Sequence, residues 1–192
     1  MLKVLITYAV NDERIPLDFK NCEIQYVRTG IGKAKAAMRL MDAVCRERPD
    51  LVINIGTAGS LVHRVGDVFA CYHFIDRDFM KIQLPGLDYE LDFSASFPEN
   101  GLFINWDSNG VCNTGDSFLT EVSGAVEGDV FDMEAYAQAL VCKEKDIPFV
   151  AVKYVTDRIG ENSVKHWEDK LADARQELEH FFKSYSLKGL PY

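Results

Sequence analysis

Short apolar runs alternate along this chain with stretches in which apolar residues recur every three or four positions, a pattern of strands interleaved with helices. Residues 4–6, 23–27, 51–55, 68–75 and 149–155 read as strands. Helical spacing follows Lys33, where Ala34, Ala37, Met38, Met41 and Cys45 mark a predicted buried stripe that stops near Pro49. A final helix is predicted over about residues 167–185, with Leu171, Ala174, Leu178, Phe181 and Phe182 on one side. The most informative stretch runs from Phe131 to Asp157. Met133, Ala137, Leu140 and Val141 give it one apolar helical face, Glu134 stands at the start of that helix, and Pro148 ends it. Phe149-Val150-Ala151-Val152 is then nearly continuous in apolar character, as a strand buried on both faces requires. Asp157 therefore leaves the carboxyl end of a central strand, where ligands bind in open α/β sheets. Glu134 and Asp157 become candidates for one pocket. The alternative is that Glu134 only favours a helix N-terminus and Asp157 caps the next segment of the chain.

Between these elements the pattern is weaker. Thr29-Gly30-Ile31-Gly32-Lys33 and Gly56-Thr57-Ala58-Gly59 read as glycine turns after strands, but the first lacks the third glycine of a dinucleotide turn and the second the lysine of a phosphate loop. Residues 87–100 are expected to be irregular. Residues 102–106 and 110–113 suggest a hairpin or two neighbouring strands joined by Asp107-Ser108-Asn109. Thr114-Gly115-Asp116-Ser117-Phe118-Leu119 is a turn that could launch a short helix up to Val122. With no repeat, low-complexity tract or linker, residues 1–192 are expected to form a single domain.

Charge narrows the partners. A formal net charge of −9 and a pI near 4.9 argue against nucleic acid and anionic lipid, and Lys33 and Lys35 read as a solvated helix face. Five scattered cysteines, none in a C-x-x-C arrangement, suggest reduced thiols in a cytoplasm, and the dispersed histidines, His73 and His166 among them, do not suggest metal ligands. No secretory leader and no membrane span are expected.

Several predicted strand ends carry glycines or polar residues, and five segments recur there in a recognisable order: Thr29-Gly30-Ile31-Gly32-Lys33, Asn54-Ile55-Gly56-Thr57-Ala58-Gly59, Thr114-Gly115-Asp116-Ser117-Phe118, Asp132-Met133-Glu134 and Thr156-Asp157. Together they resemble the nucleoside phosphorylase/nucleosidase superfamily, most closely the 5'-methylthioadenosine/S-adenosylhomocysteine nucleosidases. The resemblance implies a three-layer α/β/α sandwich with a mixed, partly closed central sheet, and hydrolysis of a purine N-ribosidic bond. It implies Asp157 as the acid that protonates the leaving base, and Glu13 as the base for water, with neighbouring Asp12 as a substitute to test. Glu134 matches the residue that binds the ribose hydroxyls, and Met133 an apolar contact beneath the sugar. Phe118 matches the aromatic that stacks on the base, and Leu119 the residue whose backbone reads its edge. For Phe118 the residue pattern alone favours ordinary core. Thr57 stands where a serine is usual, with a hydroxyl expected to orient Asp157. Ile31, Val10 and Trp167 match positions around the sugar and its 5' substituent, Val10 being smaller and Trp167 larger than usual. Relatives are dimers in which the partner helps to close the 5' pocket, here near residues 77–86, and no metal or organic cofactor is implied.

The chemistry of the residues agrees with this assignment. Adenine leaves poorly as an anion, so an acid must protonate it, and the electron-poor sugar that results is stabilised by a nearby carboxylate. Rival expectations are a phosphorylase, a futalosine-type hydrolase and a nucleoside-binding protein without turnover. Asn54, where phosphorylases commonly have arginine, and the anionic Glu13 in place of a phosphate loop favour water as the acceptor.

Overall fold

The computed structural model describes every residue except 83, 100, 101, 105, 107–109, 122–125, 162, 185, 186 and 190–192, and of residues 98, 99, 102–104, 163–166, 168 and 187–189 it describes the backbone alone. β1 (Leu2–Tyr8) pairs in parallel with β2 (Cys22–Arg28) on one side and β3 (Leu51–Ser60) on the other. A single 3-10 turn, Asn11–Glu13, follows β1, and α1 (Lys33–Glu47) joins β2 to β3. Next come β4 (Val68–Asp76), α2 (Arg77–Met80), β5 (Glu90–Asp92), α3 (Ser96–Glu99), β6 (Leu102–Ile104), β7 (Gly110–Thr114), β8 (Val130–Asp132) and α4 (Ala135–Glu144). β9 (Phe149–Arg158), α5 (Ser163–Ser184) and β10 (Leu187–Gly189) complete the elements.

β9 closes the sheet. It pairs in parallel with β3 and antiparallel with β4, while β4, β7, β8 and back to β3 pair in turn. Five strands thus form a ring, from which β1 and β2 extend on one side and β5 on the other. This is the mixed, partly closed sheet that the family resemblance implied. A strand shared by two neighbours must be apolar on both faces, and Phe149, Val150, Ala151, Val152, Tyr154 and Val155 are all buried. α1 and α4 pack on each other, and α5 lies against β9 and β3 with Ala174, Leu178 and Phe182 inward.

The structure corrects several expectations. Gly56-Thr57-Ala58-Gly59 is no turn: β3 runs through it to Ser60, with a register shift against β9 between Ala58 and Gly59. β6 and β7 do not form a hairpin, because β6 pairs with β10 whereas β7 sits between β4 and β8; the proposed joining residues 107–109 lie outside the described residues. Residues 87–100, expected to be irregular, contain β5 and α3. No helix forms over residues 115–121, and the rest of that expected helix falls outside the described residues. The buried face of α1 is Ala36, Leu40, Ala43 and Val44, so Met38 and Cys45 are exposed. Both stripes have helical spacing, and packing against α4 and β2 decides which of them is buried. Leu140 is likewise exposed although α4 is buried around most of its circumference, so an amphipathic reading fails there. Lys33 is not a solvated side chain either: its Nζ lies 3.0 Å from Asp76 Oδ1 and 2.7 Å from Asp78 Oδ2.

Candidate active site

All ten residues singled out in the sequence line one cavity of about 770 Å³, open solvent at its mouth included. They are Val10, Glu13, Ile31, Thr57, Phe118, Leu119, Met133, Glu134, Asp157 and Trp167. Asp12, the neighbour considered as a substitute for Glu13, is exposed and lies outside the cavity wall.

Glu13 reaches the cavity because the turn after β1 folds its carboxylate back onto its own backbone. Oε2 accepts from Ala9 N at 3.0 Å and Val10 N at 3.2 Å, and Oε1 accepts from Thr57 N at 2.9 Å and Thr57 Oγ1 at 2.8 Å. Gly56 permits this approach: a Cβ there would stand 3.1 Å from Glu13 Oε1. The expectation that the Thr57 hydroxyl orients Asp157 is corrected, for it faces Glu13 and in turn accepts a hydrogen bond from Trp167 Nε1 at 2.8 Å. Asp157 has a different neighbour, Thr156 Oγ1, 2.8 Å from its Oδ1. Gly59 again leaves room, since a Cβ on it would lie 2.9 Å from Asp157 Oδ2. The glycines that read as turn formers are gaps in a strand that admit two buried carboxyl groups.

Glu134, also in the cavity lining, precedes α4, and its Oε1 accepts from Gly32 N at 2.9 Å. Gly32 holds φ at 96°, a left-handed conformation suited to glycine, which turns its N–H toward Glu134. Burial first, and nearby Asp132 after it, raise the Glu134 carboxyl to about 8 against the opposing pull of Lys153 and the Gly32 N–H.

Behind Glu134 lies a charged network. Lys153 Nζ and Asp132 Oδ2 are 2.8 Å apart, with side chains 2% and 1% exposed. Burial alone would lower the lysine and raise the aspartate, but their mutual attraction outweighs it and holds each ionised. Asp132 also accepts from Ala135 N at 2.9 Å and from Thr114 Oγ1 at 2.6 Å, and Thr114 Oγ1 accepts from Tyr136 N at 2.9 Å. The first turn of α4, and with it Glu134, is therefore anchored to β7 and β8. Arg77 performs a similar task for the neighbouring loop. Nη1 donates to Asn113 O at 3.2 Å and Asp132 O at 3.1 Å, while Nη2 donates to Gly115 O at 3.2 Å and to Ser117 O. A Cβ on Gly115 would lie 2.5 Å from Arg77 Nε, so only glycine fits beside the guanidinium.

Sequence reasoning missed Lys153 and Arg77. A signal for Lys153 was present: a lone lysine inside a strand buried on both faces must have an acidic partner. For Arg77 no comparable signal exists, because four backbone carbonyls with no distinctive side chain receive it. Phe118, for which core packing was the alternative, is 38% exposed and stands with the exposed Ile31 on the cavity wall.

A mixed sheet closed by β9, with carboxyl groups converging where its strands end, defines the nucleoside phosphorylase/nucleosidase class. The family model of the phosphorylase superfamily matches residues 14–104. The 5'-methylthioadenosine/S-adenosylhomocysteine nucleosidase of Bacillus subtilis strain 168 is 31% identical over 182 residues, covering 82% of this chain and 78% of the relative. That of Bacillus velezensis is 32% identical over 170 residues, covering 76% and 72%. By this similarity the chain belongs to the 5'-methylthioadenosine/S-adenosylhomocysteine nucleosidase family. Solved structures agree on the fold. A mutant of the Helicobacter pylori nucleosidase with 5'-methylthioadenosine in its active site superposes with a TM-score of 0.78 at 18% identity, over 96% of this chain and 97% of that one. A mutant of the futalosine hydrolase of Helicobacter pylori strain 26695 gives 0.78 at 19% identity, over 96% and 98%.

Proposed function

We propose that this chain is an N-glycosyl hydrolase that cleaves the N-ribosidic bond of 5'-methylthioadenosine- and S-adenosylhomocysteine-type nucleosides, releasing adenine. The observation that carries this reading is the convergence of Glu13, Glu134 and Asp157 from three separate segments on one cavity. Asp157, 1% exposed, is the acid that protonates the purine as the bond breaks. Glu134 binds the ribose hydroxyls, Met133 packs beneath the sugar, and Glu13 is the final acceptor of the water proton. Phe118 stacks on the base and the Leu119 backbone reads its edge. Ile31, Val10 and Trp167 surround the sugar and the 5' group. Within this reading residues 1–192 act as one domain in the cytoplasm without metal or organic cofactor.

Hydrolysis is favoured over phosphorolysis by the charge of the wall. Among the described residues that line the cavity Arg77 is the cationic one, and its Nη atoms already serve backbone carbonyls. Arg14 lies over the Tyr26 ring and Arg28 donates to Asn11 Oδ1, leaving both outside the cavity wall. A phosphate dianion needs free donors of this kind. Exposed Ile31, Phe79, Ile82, Leu84 and Phe118 favour a homodimer that covers the cavity mouth, testable by sedimentation.

The deciding experiment measures free base released from 5'-methylthioadenosine, S-adenosylhomocysteine, adenosine and inosine, with and without phosphate. Phosphate-independent adenine release is expected. Absolute dependence on phosphate would move the chain to the phosphorylases, and tight binding without release would make it a binding protein. Futalosine added to the panel separates the remaining hydrolase reading.

A further inference from the structure

Glu13 is an awkward partner for water as it stands. A carboxylate has about four lone-pair directions, and the four hydrogen bonds from Ala9 N, Val10 N, Thr57 N and Thr57 Oγ1 occupy them. A water that gave its proton directly to Glu13 would have to displace one of these donors. Three are backbone N–H groups set by the turn after β1 and by β3, and the fourth is the Thr57 hydroxyl.

The polarity of that hydroxyl is set by its other neighbour. Indole Nε1–H can only donate, so Trp167 Nε1 at 2.8 Å takes one lone pair of Thr57 Oγ1. The hydroxyl keeps a single proton, and Glu13 Oε1 at 2.8 Å accepts it. One lone pair of Oγ1 then remains, and Thr57 lines the cavity. A water on the sugar's open face meets an acceptor that is already coupled to a carboxylate.

We propose that Thr57 is a catalytic residue that passes the proton of the attacking water to Glu13, and that Trp167 is a positioning residue that keeps its hydroxyl pointed for this transfer. This rests on the hydrolase reading above. As the water oxygen bonds to the sugar's anomeric carbon, one of its O–H bonds breaks and that proton passes to Thr57 Oγ1. The hydroxyl's own proton moves to Glu13 Oε1. Threonine is left neutral, Glu13 becomes a carboxylic acid, and the electron pair freed on water completes the new C–O bond. The base has already departed with the proton from Asp157, so charge and atoms balance. Trp167 thus acquires a role distinct from filling space near the 5' group.

The test uses the full chain with 5'-methylthioadenosine in phosphate-free buffer, under single-turnover conditions. Thr57→Val keeps the shape and removes the hydroxyl; a fall of about 100-fold in the rate of the chemical step with little change in KM is expected, the size of a lost proton-transfer partner. Thr57→Ser should recover most of that loss, and Trp167→Phe should lower the rate while a Trp167→His change, which restores a ring N–H, recovers part of it. A Thr57→Val rate within a few-fold of the wild type would overturn the relay, because the chemical step would then run without the hydroxyl. Should Thr57→Val misfold, rates of the wild type in mixtures of light and heavy water decide instead. A bowed dependence on deuterium fraction is expected for two protons in flight, and a straight line overturns the proposal. Wild-type protein that releases no adenine would overturn the hydrolase reading together with the relay, whereas an active wild type with an undamaged valine variant removes the relay alone.

Discussion

Two buried glutamates face the same cavity and are held in opposite ways. Glu13, 4% exposed, receives four hydrogen bonds, three from the backbone and one from a hydroxyl. Glu134, 7% exposed, receives one among the described residues, from Gly32 N, and the charges that act on it are Asp132 and Glu13 against its ionised form and Lys153 for it. Burying a carboxylate is costly unless donors or cations replace its water. The water side of the site solves this locally with short-range donors. The sugar side leaves it partly unsolved, which keeps Glu134 ready for donors brought by a ligand, such as ribose hydroxyls.

The largest break in this contrast comes from the buried cation. Lys153→Met leaves Asp132 charged and unpaired at the base of α4, and about 3–5 kcal/mol of stability should be lost, read by chemical denaturation. Asp157→Asn, by contrast, should cost on the order of 100-fold or more in adenine release while leaving the melting temperature close to that of the wild type, since it preserves shape and removes only the acid. Near-normal turnover in that variant would remove Asp157 from the chemistry.

Glu13→Gln sharpens the comparison on the water side. Its amide NH2 must face N–H donors that a carboxylate accepts, so about 1–3 kcal/mol of stability should be lost along with most turnover. Glu134→Gln should act differently, through pH. The folded-state value of about 8 lies above the ordinary 4.5, so the folded chain holds a proton that the unfolded chain has lost. This contribution is fully present below about pH 4.5 and is lost as pH rises through about 8, so stability falls across that window. Melting temperatures of the ligand-free protein between pH 5 and about 9 should decline less steeply in Glu134→Gln; an unchanged slope would assign the decline to other groups. The smallest effect is expected from Gly56→Ala, whose Cβ would press on Glu13 Oε1 from 3.1 Å. Turnover should fall about tenfold, short of the ~100-fold that a 1 Å displacement can cost.

Much of this architecture was visible along the chain because strand burial leaves a local trace. The run from Phe149 to Val152 identified a strand covered on both faces, and the alternation of strands and helices up to α5 followed from periodicity. Local signals failed where two readings have the same period. α1 carries two stripes of helical spacing, and the choice of Leu40 and Val44 over Met38 and Cys45 depends on which face meets the sheet. Glycines failed for another reason. Gly56 and Gly59 suggested a turn, yet their lack of a Cβ serves carboxyl groups that arrive from residues 13 and 157.

By itself the sequence determined the strand and helix order, the placing of Glu13, Glu134 and Asp157 near strand and helix ends, and the family resemblance, all of which depend on residue type and short-range spacing. Only the tertiary structure decided that β9 joins β3 to β4 and closes the ring, that Lys153 neutralises Asp132, and that Arg77 gathers the carbonyls of residues 113, 115, 117 and 132. Most decisively, it set the line from Trp167 through Thr57 to Glu13. These bonds join residues far apart in the chain, and no local pattern records a partner that becomes a neighbour only when the core has formed.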